Sequence, residues 1–199
     1  MDYTIRHVAT ERELDDALAF EKQVFGVAGE RHSPAYSREK WLERMRSPYN
    51  DMMLYAESGG EIAGIVFGRA ENEHNATVGP VAVDERCRKH GVAKELMLTL
   101  EQRASAHGIH NLALGAVESA EGFYQKLGYA GFLLIQSEKH SVDELLALNT
   151  GYRVRYTNVY EGAVSQVGLD LPVPDRALQL RYETELPGCF TQMVFNKTI

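Results

Sequence analysis

Four cations crowd nine residues of a chain that is otherwise acidic. Arg86, Arg88, Lys89 and Lys94 stand together with His90, in a 199-residue sequence of formal net charge −7. Within them, Arg88-Lys89-His90-Gly91-Val92-Ala93 joins an apolar run, Val78 to Val83, to a stretch with helical periodicity. Val92, Ala93, Leu96, Met97, Leu100 and Ala104 share one face of that stretch, which predicts a helix from Val92 to about Ala106. A strand that turns into a helix through a short glycine loop leaves backbone N–H groups unpaired at the positive end of the helix dipole. Such a place suits a phosphate-bearing ligand, and Gly91 lets backbone come close to it. The plain alternative is a solvated basic helix start around a glycine turn. Cys87 lies in the same stretch, where neighbouring cations would lower a thiol pKa.

The elements that position this loop follow from local signals. Tyr3 to Val8 alternates as a strand, and Thr10 with Glu13 forms a capping box for a helix reaching about Phe25. Gly26 to Tyr36, with Glu30, Arg31 and His32, is a loop, and Ser37 caps a second helix, Arg38 to Arg46. Asp51 to Glu57, a Ser58-Gly59-Gly60-Glu61 turn and Ile62 to Ala70 form an antiparallel pair. Ala76 to Val83 returns after a polar hairpin tip, Glu71 to Asn75. Gly79-Pro80 in its middle predicts a bulge or a place where the neighbouring strand peels away, because proline cannot donate to a ladder. After the loop and helix, His107-Gly108 is a stop signal. Asn111 to Val117 is a strand parallel to Ala76–Val83 if the helix is a crossover. Ser119 to Leu127 is a short helix ended by Gly128, and Phe132 to Lys139 is a strand.

The remainder reads as something added. Ser141 and Glu144 cap a helix, Val142 to Asn149, followed by strands Tyr152 to Tyr160 and Val164 to Leu171 across a Glu161-Gly162 turn. A helix, Asp175 to Leu186, and a strand, Phe190 to Lys197, close the chain. Counting Phe132–Lys139 as its first strand, this tail has the β-α-β-β-α-β order of ferredoxin-like folds. The expected domains are therefore 1–136 and 137–199, with strand 132–139 shared.

Bulk properties exclude several classes. Apolar content of 44% with 25% charged residues is that of a folded globular protein. The acidic balance argues against a nucleic-acid partner, and no apolar run approaches the roughly 20 residues of a membrane helix. Cys87 and Cys189 have no metal-ligand spacing, so no metal is expected. Met1-Asp2-Tyr3-Thr4-Ile5 lacks the regions of a signal peptide, which predicts a cytoplasmic protein.

Three matches resemble the GNAT superfamily of acyl-CoA-dependent N-acyltransferases. The first is Val81-Ala82-Val83 ahead of R-x-x-G-x-A at Arg88–Ala93. The second is Leu96 in the helix that follows. The third is Ala120-Glu121-Gly122-Phe123-Tyr124-Gln125-Lys126-Leu127-Gly128-Tyr129, close to the family's A-x-x-F-Y-x-K-x-G-F. Two motifs bracketing a strand–helix–strand are a specific signal. The resemblance covers about residues 1–136. It implies an α/β (α+β) fold: a mixed, mostly antiparallel sheet with a central parallel pair and flanking helices, with the ferredoxin-like extension beyond it. It also implies acetyl-CoA as co-substrate. Val81, Ala82 and Val83 would hold the pantetheine through backbone groups. Arg88, Lys89, His90, Gly91, Val92 and Ala93 would hold the pyrophosphate, with Lys126 also at the cofactor. One departure is Val117, where the family often has asparagine.

Direct attack of a primary amine on a thioester needs a base for the ammonium proton and an acid for the leaving thiolate. By its place in the motif, Tyr124 resembles the family's general acid; its alternative is a tyrosine packed against the sheet. Ala76–Val83 holds no acidic residue, so the base is sought elsewhere. Glu118 is favoured, with Glu73, Glu71 and water as alternatives and His74 and His32 behind them. The leading expectation is an N-acetyltransferase acting on a small-molecule or peptide amine. The competing reading is a non-catalytic acyl-CoA-binding module with the tail as output. A third makes the alternating tail strands a homodimer contact.

Overall fold

The computed structural model describes residues 2–26, 37–160, 162–171 and 173–199. The expected loop positions 27–36, including Glu30, Arg31 and His32, and the turn residue Glu161 lie outside these. The chain packs as two compact units, Met1–Leu112 with Thr198–Ile199, and Ala113–Lys197. The division falls upstream of the boundary near 136 expected from sequence.

In the first unit, β1 (Thr4–His7) leads to α1 (Glu11–Phe25), whose capping box is complete in both directions. Glu13 N–H donates to Thr10 Oγ1 at 3.2 Å, and the Glu13 carboxylate accepts from the Thr10 N–H at 2.9 Å. Ser37 caps α2 (Arg38–Met45) in the expected manner. A 3-10 turn, Asn50–Met52, occupies the expected start of the next strand, so β2 runs Met53–Ser58. The Gly59-Gly60 turn connects it to β3 (Glu61–Ala70), which pairs with β4 (Asn75–Val83). The strands run in the order β1-β2-β3-β4, all antiparallel. After α3 (Val92–Ala106), β5 (Asn111–Gly115) enters beside β4 as its parallel neighbour. The β3–β4 register slips where Gly79 and Pro80 face Phe67, the bulge expected from the proline.

Alternation along β3 assigns the two faces of this sheet. Ile65 and Phe67 join a buried cluster with Trp41, Leu14, Ala17 and Phe20 from α1 and α2. Trp41 meets Phe67 edge-on at 5.1 Å, a contact worth about 0.5–1.5 kcal/mol beyond burial alone. On the opposite face Gly64 and Gly68 clear a seat for α3. A Cβ at Gly64 would stand 3.0 Å from Val92 Cγ1, and one at Gly68 would stand 2.8 Å from Leu100 Cδ1. The glycines thus let the helix settle close to the strand, which fixes where its N-terminus emerges.

The second unit takes up β5 and continues through α4 (Glu118–Lys126), β6 (Ala130–Ser137) and α5 (Val142–Ala147). It is completed by β7 (Val154–Tyr160), β8 (Val164–Leu169), α6 (Arg176–Glu185) and β9 (Cys189–Thr198). Its strand order is β5-β9-β6-β8-β7. From β6 onward, the element order and the antiparallel order β9-β6-β8-β7 are those of the expected ferredoxin-like arrangement. The residues read as an added tail nonetheless share one sheet with the preceding strand. β9 lies between β5 and β6, and Ala116 N–H donates to Met193 O at 3.1 Å. β6 also begins two residues before its expected start, because Ala130 and Gly131 pair with Asn196 and Phe195 of β9.

Candidate active site

Asp84 closes β4 and organises the turn behind it. Its carboxylate accepts from the Arg86 N–H at 2.8 Å, capping a 3-10 turn, Glu85–Cys87. The same carboxylate takes the Arg86 guanidinium at 3.0 Å, with Glu61 3.4 Å away. Bonding and charge from Arg86 hold Asp84 below the usual carboxylate range. Arg86, counted in the cationic cluster from sequence, is therefore spent within the fold. The Cys87 expectation is corrected as well: the side chain is buried, and burial pushes its thiol pKa up rather than down.

Beyond the turn the backbone reverses twice. Lys89 has φ +65° and Gly91 has φ +87°, both left-handed, and Gly91 is the N-cap of α3 with no side-chain cap. Arg88 Nε reaches Val83 O at 3.4 Å, and His90 Nδ1 lies 2.9 Å from Arg88 O. The backbone N–H groups of Lys89, His90, Gly91, Val92 and Ala93 find no acceptor among the described residues. The side chains of Arg88, Lys89, His90 and Lys94 are exposed around them. Tyr3 Oη donates to Glu95 Oε2 at 2.7 Å, tying down the one carboxylate in the first turn of α3. The loop therefore gathers exposed cations around the N-terminus of α3, whose dipole is positive there. Val81, Ala82 and Val83 face Val66, Ile65 and Gly64 across the β3–β4 ladder just before it.

In the second unit, α4 carries the other candidate residues. Tyr124 is buried, its ring 5.1 Å from Phe123 and 6.1 Å from both Tyr129 and Phe195. Its carbonyl accepts the Tyr129 N–H at 3.1 Å, locking the glycine turn after the helix. Lys126 is exposed. Val117 is the N-cap, is 62% exposed and makes no side-chain cap bond. Glu118 stands exposed in the first turn, paired with Arg176 Nε at 3.3 Å.

The other base candidates are in the first unit. Glu71 accepts from Arg69 at 2.6 Å and from Thr77 at 2.7 Å, so it is engaged in the hairpin. Glu73 is exposed, 3.5 Å from His74, which stacks on His110 at 5.7 Å. His32 lies outside the described residues. Sequence reasoning missed Arg176, which also binds the buried Glu121. The i,i+3 spacing of Glu118 and Glu121 was visible, but nothing local marks their shared cation.

The sequence profile of the Acetyltransferase (GNAT) family matches residues 14–129, more than half of the chain. The chain belongs to the GNAT acetyltransferase family. It is 27% identical to the uncharacterized protein YyaT of Bacillus subtilis (strain 168), over 63% of this chain and 81% of that protein. Solved structures share the fold at low identity. A GNAT-family acetyltransferase from Streptococcus pneumoniae superposes with TM-score 0.57, 18% identity and full coverage of both chains. The ribosomal-protein-alanine N-acetyltransferase of Brucella melitensis gives 0.54 and 16%, covering 98% of this chain and 99% of that one. The Neisseria gonorrhoeae N-acetylglutamate synthase, complexed with coenzyme A and N-acetyl-glutamate, gives 0.52 and 14%. That match covers all of this chain but 35% of the synthase. As a GNAT fold, the chain is a mostly antiparallel sheet with a parallel β4–β5 pair and flanking helices.

Proposed function

We propose that this GNAT protein is a cytoplasmic N-acetyltransferase that moves an acetyl group from acetyl-CoA to a primary amine of a small molecule or peptide. The observation that carries the reading is the loop Arg88–Ala93. Its unpaired backbone N–H groups, left-handed Gly91 and exposed cations fit a pyrophosphate, and among the described residues only Tyr3 Oη comes within 4 Å of where a Gly91 Cβ would stand. Val81 to Val83, on the strand leading into the loop, would offer backbone groups to the pantetheine, and Lys126 a cation to the cofactor. The amine nitrogen attacks the thioester carbonyl, forming C–N as C–S breaks, and the acetyl group passes directly. A base takes the ammonium proton, and Tyr124 gives its proton to the departing thiolate. A tyrosine hydroxyl, with ordinary pKa about 10, holds its proton at neutral pH and can serve as that acid.

Glu118 is the carboxylate proposed as base, and its pairing with Arg176 gives it a second task. In this role Glu118→Gln should slow turnover at neutral pH far more than at high pH, where the amine is already neutral. An unchanged pH–rate profile would transfer the task to water.

The deciding assay measures CoA release from acetyl-CoA against an amine panel. The panel holds glutamate, an alanine-terminated peptide, a polyamine and an amino sugar, the first two suggested by the structural neighbours. Tyr124→Phe should lower turnover about 100-fold or more, within the range of general acid catalysis, with acetyl-CoA binding retained. Saturable acetyl-CoA binding with no CoA release from any amine would support the non-catalytic module instead.

A further inference from the structure

Helix α6 belongs to the stretch between β6 and β9, outside the residues that carry the family motifs. Its first turn is built with care. The Asp175 carboxylate accepts the Leu178 N–H at 2.9 Å and the Tyr152 hydroxyl at 3.0 Å, which fixes the helix start. The next residue, Arg176, turns its guanidinium onto α4. Nη2 meets Glu121 Oε2 at 2.5 Å, Nε meets Glu118 Oε1 at 3.3 Å, and Nη1 donates to Gln179. Gln179 Nε2 continues to Thr191 Oγ1 at 3.3 Å, and Thr191 donates to Glu183 at 2.6 Å. One chain of polar contacts therefore runs from α4 through α6 to β9.

The two arms of the guanidinium are unequal. Glu118 is exposed, and an ion pair open to water contributes little. Glu121 is 5% exposed, and a buried carboxylate without a partner is expensive. Arg176 is thus what allows a carboxylate on the buried side of α4. The planar fork of arginine reaches two acids one turn apart, a grip that a single ammonium cannot reproduce. α4 has nine residues, and Tyr124 comes three positions after Glu121, on the adjoining turn. A hold on the first turn fixes the rotation and height of the whole helix.

We propose that Arg176 is a positioning residue for acetyl transfer: through its pair with Glu121 it sets α4 so that the Tyr124 hydroxyl is correctly aimed. The inference rests on the reading of Tyr124 as the general acid. The test is a double-mutant cycle with Arg176→Met and Tyr124→Phe in the full chain. Acetyl-CoA is the donor, and the acceptor is the panel amine that releases CoA fastest. Arg176→Met should lower kcat at least tenfold while KM for acetyl-CoA stays within twofold. Added to Tyr124→Phe, it should cost less than a further twofold, because the group it aims is already gone. A full multiplicative loss in the double variant, or an Arg176→Met kcat equal to wild type, overturns the inference and leaves the Tyr124 reading standing. A Tyr124→Phe enzyme as fast as wild type removes the Tyr124 reading, and the inference with it. Glu121→Gln, which keeps the shape and drops the charge, runs through the same cycle with the same expectations if Arg176→Met does not fold.

Discussion

Replacing Gly91 with alanine separates what the loop's backbone costs from what its ligand needs. Gly91 sits at φ +87°, a conformation that costs an L-residue about 1–2 kcal/mol. Alanine also narrows the unfolded ensemble, returning about 0.4–1 kcal/mol. A Cβ there meets only Tyr3 Oη, at 3.7 Å, so no clash adds to the cost. The net loss is then roughly 0–1.6 kcal/mol, a fall in Tm of up to roughly 6 °C for a chain of this size. Gly60, at φ +82° with nothing within 4 Å of its would-be Cβ, is the matched control in the β2–β3 turn. Gly60→Ala and Gly91→Ala should lose similar stability by thermal unfolding. Only Gly91→Ala should weaken acetyl-CoA binding by calorimetry, about tenfold or more, since its methyl group stands where phosphate must approach the backbone; that is about 1.4 kcal/mol. If Gly91→Ala loses the expected stability and binds acetyl-CoA within twofold of wild type, the loop is a solvated helix start and not a phosphate cradle.

The thiols offer a second check: Cys87 is raised by burial, and Cys189, chiefly by burial, is pushed up to about 11. Neither should react with a disulfide reagent at pH 8 in the native protein within the time that both react in guanidinium chloride; rapid native labelling of Cys87 would revive the activated-thiol reading. Asp175 is held below the ordinary carboxylate value of 3.8, first by the Leu178 N–H and then by Tyr152. Its contribution is therefore present above that value and lost as pH falls through the lower folded one. Between pH 5 and pH 2 wild type should lose Tm faster than Asp175→Asn, and parallel curves would rule this out.

What could be read from sequence was whatever is decided within a few residues. The capping boxes at Thr10 and Ser141 place donor and acceptor three positions apart, so their helices begin where expected. The bulge at Gly79-Pro80 follows from one missing N–H. Wherever a distant strand decides the outcome, the reading drifted. β6 starts early because β9 offers it partners, and the placing of β9 beside β5 has no local signature. The site divides in the same way. Gly91 and the N–H groups behind it were legible as a loop, whereas Cys87 was misread because neighbouring charges are visible in a sequence and burial is not. Arg176 went unnoticed because its carboxylates lie 55 and 58 positions upstream.

The position of β9 also governs the order of events as the chain is made. β5 and β6 leave the ribosome well before the strand that will lie between them, since β6 ends at Ser137 and β9 begins at Cys189. At about 5–20 residues per second, those two open edges wait some seconds for their partner. Unpaired edges are templates for pairing with other chains. A nascent or truncated chain that stops short of Cys189 is therefore a natural client for chaperones, and α5 to α6 amount to a built-in delay in translation before the sheet can close.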